Sequence, residues 1–245
     1  MRIALVSTKN APGCTTIACA VGATWPEGRS VVLAECDPSG NDVAARFAVR
    51  PEPGMASFVL AVRHDVPLDE ALAENSQHLP GGLPVLLGPC GAEAAAAVDT
   101  ELQGVVWGPV EGDLVFDCGR FLPGAPGQQS LLAAVDEVIL VLRPDAPSVV
   151  QGRAVAERLR RLRGASCSEP LAIVCHDGPF AAPDVADAVG LELLGCMPTD
   201  HAAAAALRGE PTQVRGLHRL PLMRTAAFVG LQLCQRQPEK LRHAS

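Results

Sequence analysis

The sequence is poor in charge, in aromatic side chains and, most sharply, in lysine. Charged residues make up 19% of the 245 and aromatics 3%. Of 20 basic residues only Lys9 and Lys240 are lysines, against eighteen arginines. Low charge beside 48% hydrophobic residues fits parallel strands covered on both faces by helices. The net charge of −7 and a pI near 5.4 argue against a nucleic-acid footprint spread over the whole surface and leave room only for a local basic patch. No apolar run reaches the roughly 18 residues of a membrane span. The nine cysteines, an odd number, contain no C-x-x-C pair, and no signal-peptide pattern precedes them. These features exclude a disulfide framework and point to reduced thiols in the cytoplasm. No Ser/Gly-rich linker, compositional shift or internal repeat divides the chain, so residues 1–245 are expected to form a single domain.

What is present is an alternation of apolar runs and helical stretches. Strands are expected at Arg2–Val6, Ser30–Glu35, Leu83–Leu87, Asp113–Asp117, Glu137–Leu142, Pro170–Cys175 and Leu193–Met197. Helices are expected at Thr15–Ala23, Asp42–Phe47, Pro67–Glu74, Ala92–Leu102, Gln128–Val135, Ser148–Arg163, Ala182–Val189, Ala202–Arg208 and Leu222–Arg236. Such an order predicts an α/β fold: three layers around a doubly wound, mostly parallel sheet. Ligands of such sheets bind beyond the carboxyl ends of the strands. The turns there hold the unusual residues: Thr8–Thr16, Cys36–Asn41, Cys118–Arg120, His176–Gly178 and Pro198–Asp200.

The first of these turns, "STKNAPGCTT", has the outline of a phosphate-binding loop. Backbone N–H groups of a turn followed by a helix N-terminus meet both the charge and the acceptor oxygens of a phosphate. Residues 9–14 supply the turn and Thr15–Thr16 open the helix. Gly13 allows close backbone approach, and Thr15 stands where a helix-start hydroxyl binds Mg²⁺. A full G-x-x-x-x-G-K-[ST] is absent: its first glycine is Asn10 or Ala11, depending on alignment, and its lysine is Cys14. A plain strand–turn–helix would also explain the segment. Two further sites add weight. "VVLAECDPSGND" ends a strand with Glu35 and Asp37, and "DLVFDCG" ends another with Asp117. Carboxylates at strand ends beside a phosphate loop can hold Mg²⁺ or its waters and orient an attacking water. Alternatively, Glu35 and Asp37 cap a helix or sit in a solvated loop.

In this order the motifs resemble the ParA/MinD group of P-loop ATPases, whose deviant Walker A motif is K-G-G-x-G-K-[ST]. "KNAPGCTT" aligns with it, "LAECDPSGN" is similar to the D-x-D-P-x-G-N segment, "LVFDCG" to the Walker B strand, and "LELLGCMPTDHAAAAALRGEP" to the stretch near the adenine. The likeness covers residues 1 to about 235. It implies ATP and Mg²⁺ as cofactors and ATP hydrolysis as the activity. Lys9 then matches the signature lysine that reaches the partner's nucleotide in a dimer, and Asp37 the hydrolytic acid. Asn10, Ala11, Pro12, Gly13, Cys14, Thr15 and Thr16 become nucleotide contacts, and Thr15, Glu35 and Asp117 the metal site. Pro198 and Thr199 approach the base through their backbone. His176 either stacks on the base or is an ordinary loop histidine.

The departures bear on the reaction. A charge-assisted hydrogen bond to phosphate contributes about 1.5–3 kcal/mol, so Cys14 in the lysine's place predicts nucleotide binding roughly ten- to a hundredfold weaker. Pro12 removes one N–H donor. Lys9, supplied across a dimer, and Arg120 are the candidate replacement cations. The expected protein is a nucleotide switch that forms a homodimer and positions another assembly, with slow, dimer-dependent or absent hydrolysis. A pilus or secretion apparatus is the expected client, because the relaxed loop is similar to that of the TadZ/CpaE branch. Two alternatives stand beside it, a DNA-partitioning ATPase and a non-catalytic scaffold. The first would use the arginines of "GRAVAERLRRLRG", residues 152–164, which otherwise form a solvated helix face. Cys14, Cys36 and Cys118 read either as small buried fillers or as a redox or soft-metal site. Leu222, Ala226, Val229 and Leu233 fit a helix packed on the domain, so autonomous membrane binding is not expected.

Overall fold

The computed structural model describes residues 1–8, 13–175, 177–210 and 215–243, with side chains as far as 236. In chain order the elements are β1 (Arg2–Ser7), α1 (Cys14–Ala23), β2 (Val31–Glu35), α2 (Val43–Arg46), α3 (Met55–Arg63), α4 (Leu68–Asn75), β3 (Gln77–His78), β4 (Pro84–Leu86), α5 (Ala92–Leu102), β5 (Asp113–Arg120), α6 (Pro126–Ala134), β6 (Glu137–Leu142), α7 (Ala146–Arg163), β7 (Leu171–Cys175), α8 (Ala182–Val189), β8 (Glu192–Met197), α9 (His201–Leu207), a 3-10 turn at Leu217–Arg219, and α10 (Pro221–His243). The strands form one sheet in the order β3-β4-β2-β5-β1-β6-β7-β8. Its pairs are parallel except β3 with β4.

Alternation along the strands divides the core. Ile3, Leu5, Val31 and Leu33 face one side with Ile17, Val43, Ala203 and Val229, from α1, α2, α9 and α10. Ala4, Val6, Ala34 and Phe116 face the other with Phe58, Leu131, Leu159 and Val185, from α3, α6, α7 and α8. Burial on both faces explains why the central strands carry near-continuous apolar runs. From β1 the chain runs to β2 and β4 on one side, returns to β5 between β1 and β2, and then crosses to β6, β7 and β8 on the other side. After β1 it enters α1 on one face, and after β6 it enters α7 on the opposite face. A crevice therefore opens above the carboxyl ends of β1 and β6, the switch point where such sheets bind ligands.

Four elements differ from expectation, the 3-10 turn at Leu217–Arg219 among them. The helix α3 was not foreseen, and its segment "MASFVLAVR" is apolar enough on several sides, with Leu60 56% exposed, to hide its period. The two-residue edge strand β3 carries too little pattern to read. The last helix continues past Arg236 to His243. Leu222, Ala226, Val229 and Leu233 pack into the core as expected. Among the described residues no helix is long and apolar enough to cross a membrane.

The basic stretch on α7 is not a uniform solvated face. Arg163 is buried, and Arg160 is bound to Glu169 and to the Gly190 carbonyl. Arg153 and Arg161 remain exposed.

Candidate functional site

The turn between β1 and α1 ends at Gly13, whose φ of +88° lies in the left-handed region that glycine adopts without strain. No side chain caps α1 there, and its first intrahelical bond runs from the Ile17 N–H to the Gly13 carbonyl at 2.8 Å. The N–H groups of Cys14, Thr15 and Thr16 therefore point out of the helix end without intrahelical partners, and the helix dipole adds positive potential. This end can receive anionic oxygens. Lys9, Asn10, Ala11 and Pro12 lie outside the described residues.

Asp117 stands beside this helix start because β5 lies between β1 and β2, in register with Leu5 on one side and Glu35 on the other. Its carboxylate is buried and hydrogen-bonded to the Thr15 hydroxyl, the Cys14 thiol and the Gly119 N–H. Burial raises its pKa, and the Thr15 and Gly119 bonds oppose the rise. Cys14 is fully buried with its thiol on Asp117. Burial, then the charge of Asp117, pushes that thiol well above its ordinary range, so it is a proton-holding filler, not a nucleophile. The same holds for Cys36 and Cys118, also buried with strongly raised pKa values. Among the described residues no group of three or more His, Cys, Asp or Glu is arranged to hold a metal ion.

The two acids at the end of β2 take different parts. Asp37 is half-buried, and its Oδ1 accepts from the Ser39 N–H at 2.8 Å and the Ser39 hydroxyl at 2.6 Å. Burial raises its pKa while these bonds oppose the rise. Asn41 fixes the turn: its Oδ1 accepts from the Asp37 N–H and its Nδ2 donates to the Pro89 carbonyl. Glu35, expected on the metal, is 1% exposed and occupied by backbone donors. Its Oε1 accepts from the Asp42 N–H at 3.2 Å and the Val43 N–H at 3.0 Å, and its Oε2 from the Gly88 N–H at 3.2 Å. It caps α2 and ties that helix to the β4 end, the role of a helix-capping residue.

A cavity of about 320 Å³ opens between α1 and the ends of β6, β7 and β8. Gly13, Thr16 and Ile17 form one wall, and Pro198, Thr199 and His201 the opposite one. Its size falls in the small-molecule range of roughly 300–1,000 Å³. The chain resembles the septum site-determining protein MinD of Pyrococcus horikoshii, solved with Mg-ADP, at 18% identity and a TM-score of 0.70 over 98% of both chains. It resembles a ParA family ATPase from Chlorobium tepidum at 14% identity and a TM-score of 0.69, over 94% of this chain and 98% of that one. It also resembles the MinD of the Aquifex aeolicus MinC:MinD complex at 17% identity and a TM-score of 0.68, over 96% and 95%. The fold is that of the MinD and ParA ATPases. No family model matches the sequence, and no curated protein matches it.

On this MinD/ParA-type fold, the structure brings Gly13, Cys14, Thr15, Asp37 and Asp117 together at the tips of three adjacent strands, and Pro198 and Thr199 across the cavity from Gly13. His176 lies outside the described residues. Its neighbour Asp177 lines the cavity and accepts a hydrogen bond from the Thr199 hydroxyl. Arg143, directly after β6, lines the same cavity. Asp177 belongs to the His176–Gly178 turn already marked by its place after a strand, whereas Arg143 lies outside the turns expected to bind ligand. The signal for each was its place just past a strand end, where Arg143 hid within "VLRPDAPSV" as an ordinary loop residue.

Proposed function

We propose that this chain, residues 1–245 acting as one unit in the cytoplasm, is a MinD/ParA-like nucleotide switch. It takes ATP with Mg²⁺, forms a homodimer when loaded, and positions or regulates a cellular assembly through a protein partner. Its hydrolysis is weak or dependent on the dimer. The observation that carries this reading is the cavity that joins the uncapped, glycine-led start of α1 to Pro198 and Thr199. One end suits phosphates and the other a flat ring.

The residues fit the group. Gly13 and the N–H groups of Cys14, Thr15 and Thr16 receive phosphate oxygens, with Asn10, Ala11 and Pro12 completing the loop. Thr15 and Asp117 form the protein side of the Mg²⁺ site. Bound Mg²⁺ neutralises charge on the phosphate oxygens. Glu35 is left out of that site because its carboxylate is engaged by backbone amides. Asp37 orients the attacking water, and Lys9 acts on the partner's nucleotide. Pro198 and Thr199 bound the base, with His176 as a further contact. The Mg-ADP of the Pyrococcus horikoshii protein and the MinC partner of the Aquifex aeolicus protein support cofactor and partner by likeness of fold. The relaxed loop keeps the TadZ/CpaE type of client, a pilus or secretion assembly, as the partner class to test.

The test is thermal unfolding and solution mass with and without Mg-ATP. A higher melting temperature together with a doubled mass is expected. No shift at millimolar Mg-ATP sinks the switch and leaves the second reading, a scaffold that binds its partner without nucleotide. Cys14 favours that second reading, since its buried thiol is bonded to Asp117 and offers no charge to a phosphate.

A further inference from the structure

Cys14 removes the cation that a phosphate loop ordinarily carries, and its thiol is spent on Asp117. We infer that Arg143 replaces it, its guanidinium pairing with the phosphate oxygens of a nucleotide bound by the same subunit. The inference rests on the nucleotide reading above and adds the residue that reads the charge.

Position is the first argument. The strands β1 and β6 run side by side, with Ser7 in register with Val141. Arg143 is the first residue beyond β6, at the crevice where α1 and α7 part to opposite faces. It lines the cavity with Gly13, Thr16 and Ile17, the opening turn of α1.

Anchoring is the second. The Arg143 N–H donates to the Ser148 hydroxyl at 3.0 Å, and Asp145 caps α7 by accepting the Ser148 N–H at 2.8 Å. The main chain is pinned while the side chain stays 55% exposed. Its bond to Asp145, at 3.1 Å, is made by Nε. That bond uses the Nε edge of the guanidinium and leaves its outer edge, formed by the two Nη groups, for the bidentate contact that suits phosphate. An exposed pair of this kind is weak and yields readily to a stronger anion.

Reach is the third. Cys175, at the end of β7 in the same cavity, has its thiol pushed up to about 12 by burial, and the charge of Arg143 acts against that rise. Cys175 is the strand neighbour of Arg143, since Leu142 is in register with Val174, so the guanidinium's field covers that corner of the cavity. Among the described residues the other cations are less suited. Arg120 does not line this cavity. Arg208 does, but from the end of α9 with His201 and Ala204 and not from a strand beside β1.

Titration calorimetry with Mg-ATP, Mg-ADP and adenosine on the wild type, Arg143→Ala, Arg143→Lys and Arg153→Ala tests this. Arg143→Ala should weaken ATP and ADP roughly ten- to a hundredfold, leave adenosine unchanged and flatten the salt dependence of ATP binding. Arg143→Lys should recover part of the loss, and Arg153→Ala should bind as the wild type. Wild type that takes up no Mg-ATP overturns both the nucleotide reading and this inference. Wild type that binds while Arg143→Ala binds equally well overturns the inference alone. An equal loss for ATP and adenosine also overturns it, because Arg143 would then shape the cavity without reading charge.

Discussion

The Asp37 carboxylate lies directly on Gly119: a β-carbon built on that glycine would sit 1.8 Å from Asp37 Oδ2 and 2.2 Å from its Cγ. Gly119 also has φ of +57°, a left-handed backbone that costs a non-glycine residue about 1–2 kcal/mol. Gly119→Ala should therefore destabilise the fold by at least that amount and displace Asp37. The displacement is separable by a double-mutant cycle. In an Asp37→Ala background the cost of Gly119→Ala should fall, because the clashing carboxylate is gone. Urea unfolding of the four proteins measures it. Equal costs in both backgrounds would show that Asp37 moves aside freely.

Cys14 is the second test. Cys14→Lys should tighten Mg-ATP binding roughly ten- to a hundredfold, the gain of one charge-assisted contact to phosphate. Cys14→Ala removes only the thiol's bond to Asp117 and should leave the affinity near that of the wild type. Calorimetry of both variants decides. An unchanged affinity for Cys14→Lys would mean that position 14 does not face the phosphates.

Much of this was legible in the sequence because the signals were local or repeated. Each expected strand from Arg2–Val6 to Leu193–Met197 is present, since a strand buried on both faces writes itself as an apolar run. The tips carrying Gly13, Asp37 and Asp117 were identifiable from their places after such runs. What the sequence withheld depends on side-chain direction. Glu35 and Asp37 stand two residues apart and look alike on paper. The strand β2 ends at Glu35, and the turn that follows carries Asp37 off in another direction, so one carboxylate reaches the Asp42, Val43 and Gly88 amides and the other lies on Gly119. The role of Arg143 likewise depends on which strand lies beside β1, and chain order does not reveal that neighbour.

Glu35 carries a prediction in pH. Burial pushes its pKa up from 4.5 to about 8, while the Val43 and Gly88 amides pull against the shift. A carboxyl raised in the native state binds its proton more tightly there than in the unfolded chain. Its contribution is therefore complete below about 4.5 and is lost as pH climbs through about 8, at up to about 1.36 kcal/mol per unit. Asp37, Asp99 and Asp117 are raised in the same sense, so the readout is the difference between proteins. Glu35→Gln should lose less stability between pH 5 and pH 8 than the wild type does, in urea midpoints taken across that range. Parallel curves would show that Glu35 stays ionised, held by its three amides.

Arg163 closes the question of the basic helix. It is 6% exposed. Its guanidinium donates to the carbonyls of Leu132 at 2.8 Å, Val135 at 3.0 Å and Asp136 at 3.1 Å, and to Ser168. One side chain thus gathers the end of α6, the start of β6 and the turn before β7. Arg163→Ala removes these donors, though the Asp136 carbonyl keeps its bond from the Ser168 hydroxyl, and should cost about 2–4 kcal/mol. Arg163→Lys should recover little, because an ammonium cannot span the same fork. Arg153→Ala, on the exposed face of α7, should stay within about 0.5 kcal/mol. Thermal unfolding of the three variants measures the contrast. A DNA-binding role for α7 requires the reverse pattern: arginines that matter for a salt-dependent duplex shift and little for stability. A large stability cost at Arg163 with none at Arg153 assigns the buried member of the stretch to architecture and confines any electrostatic role to the exposed ones.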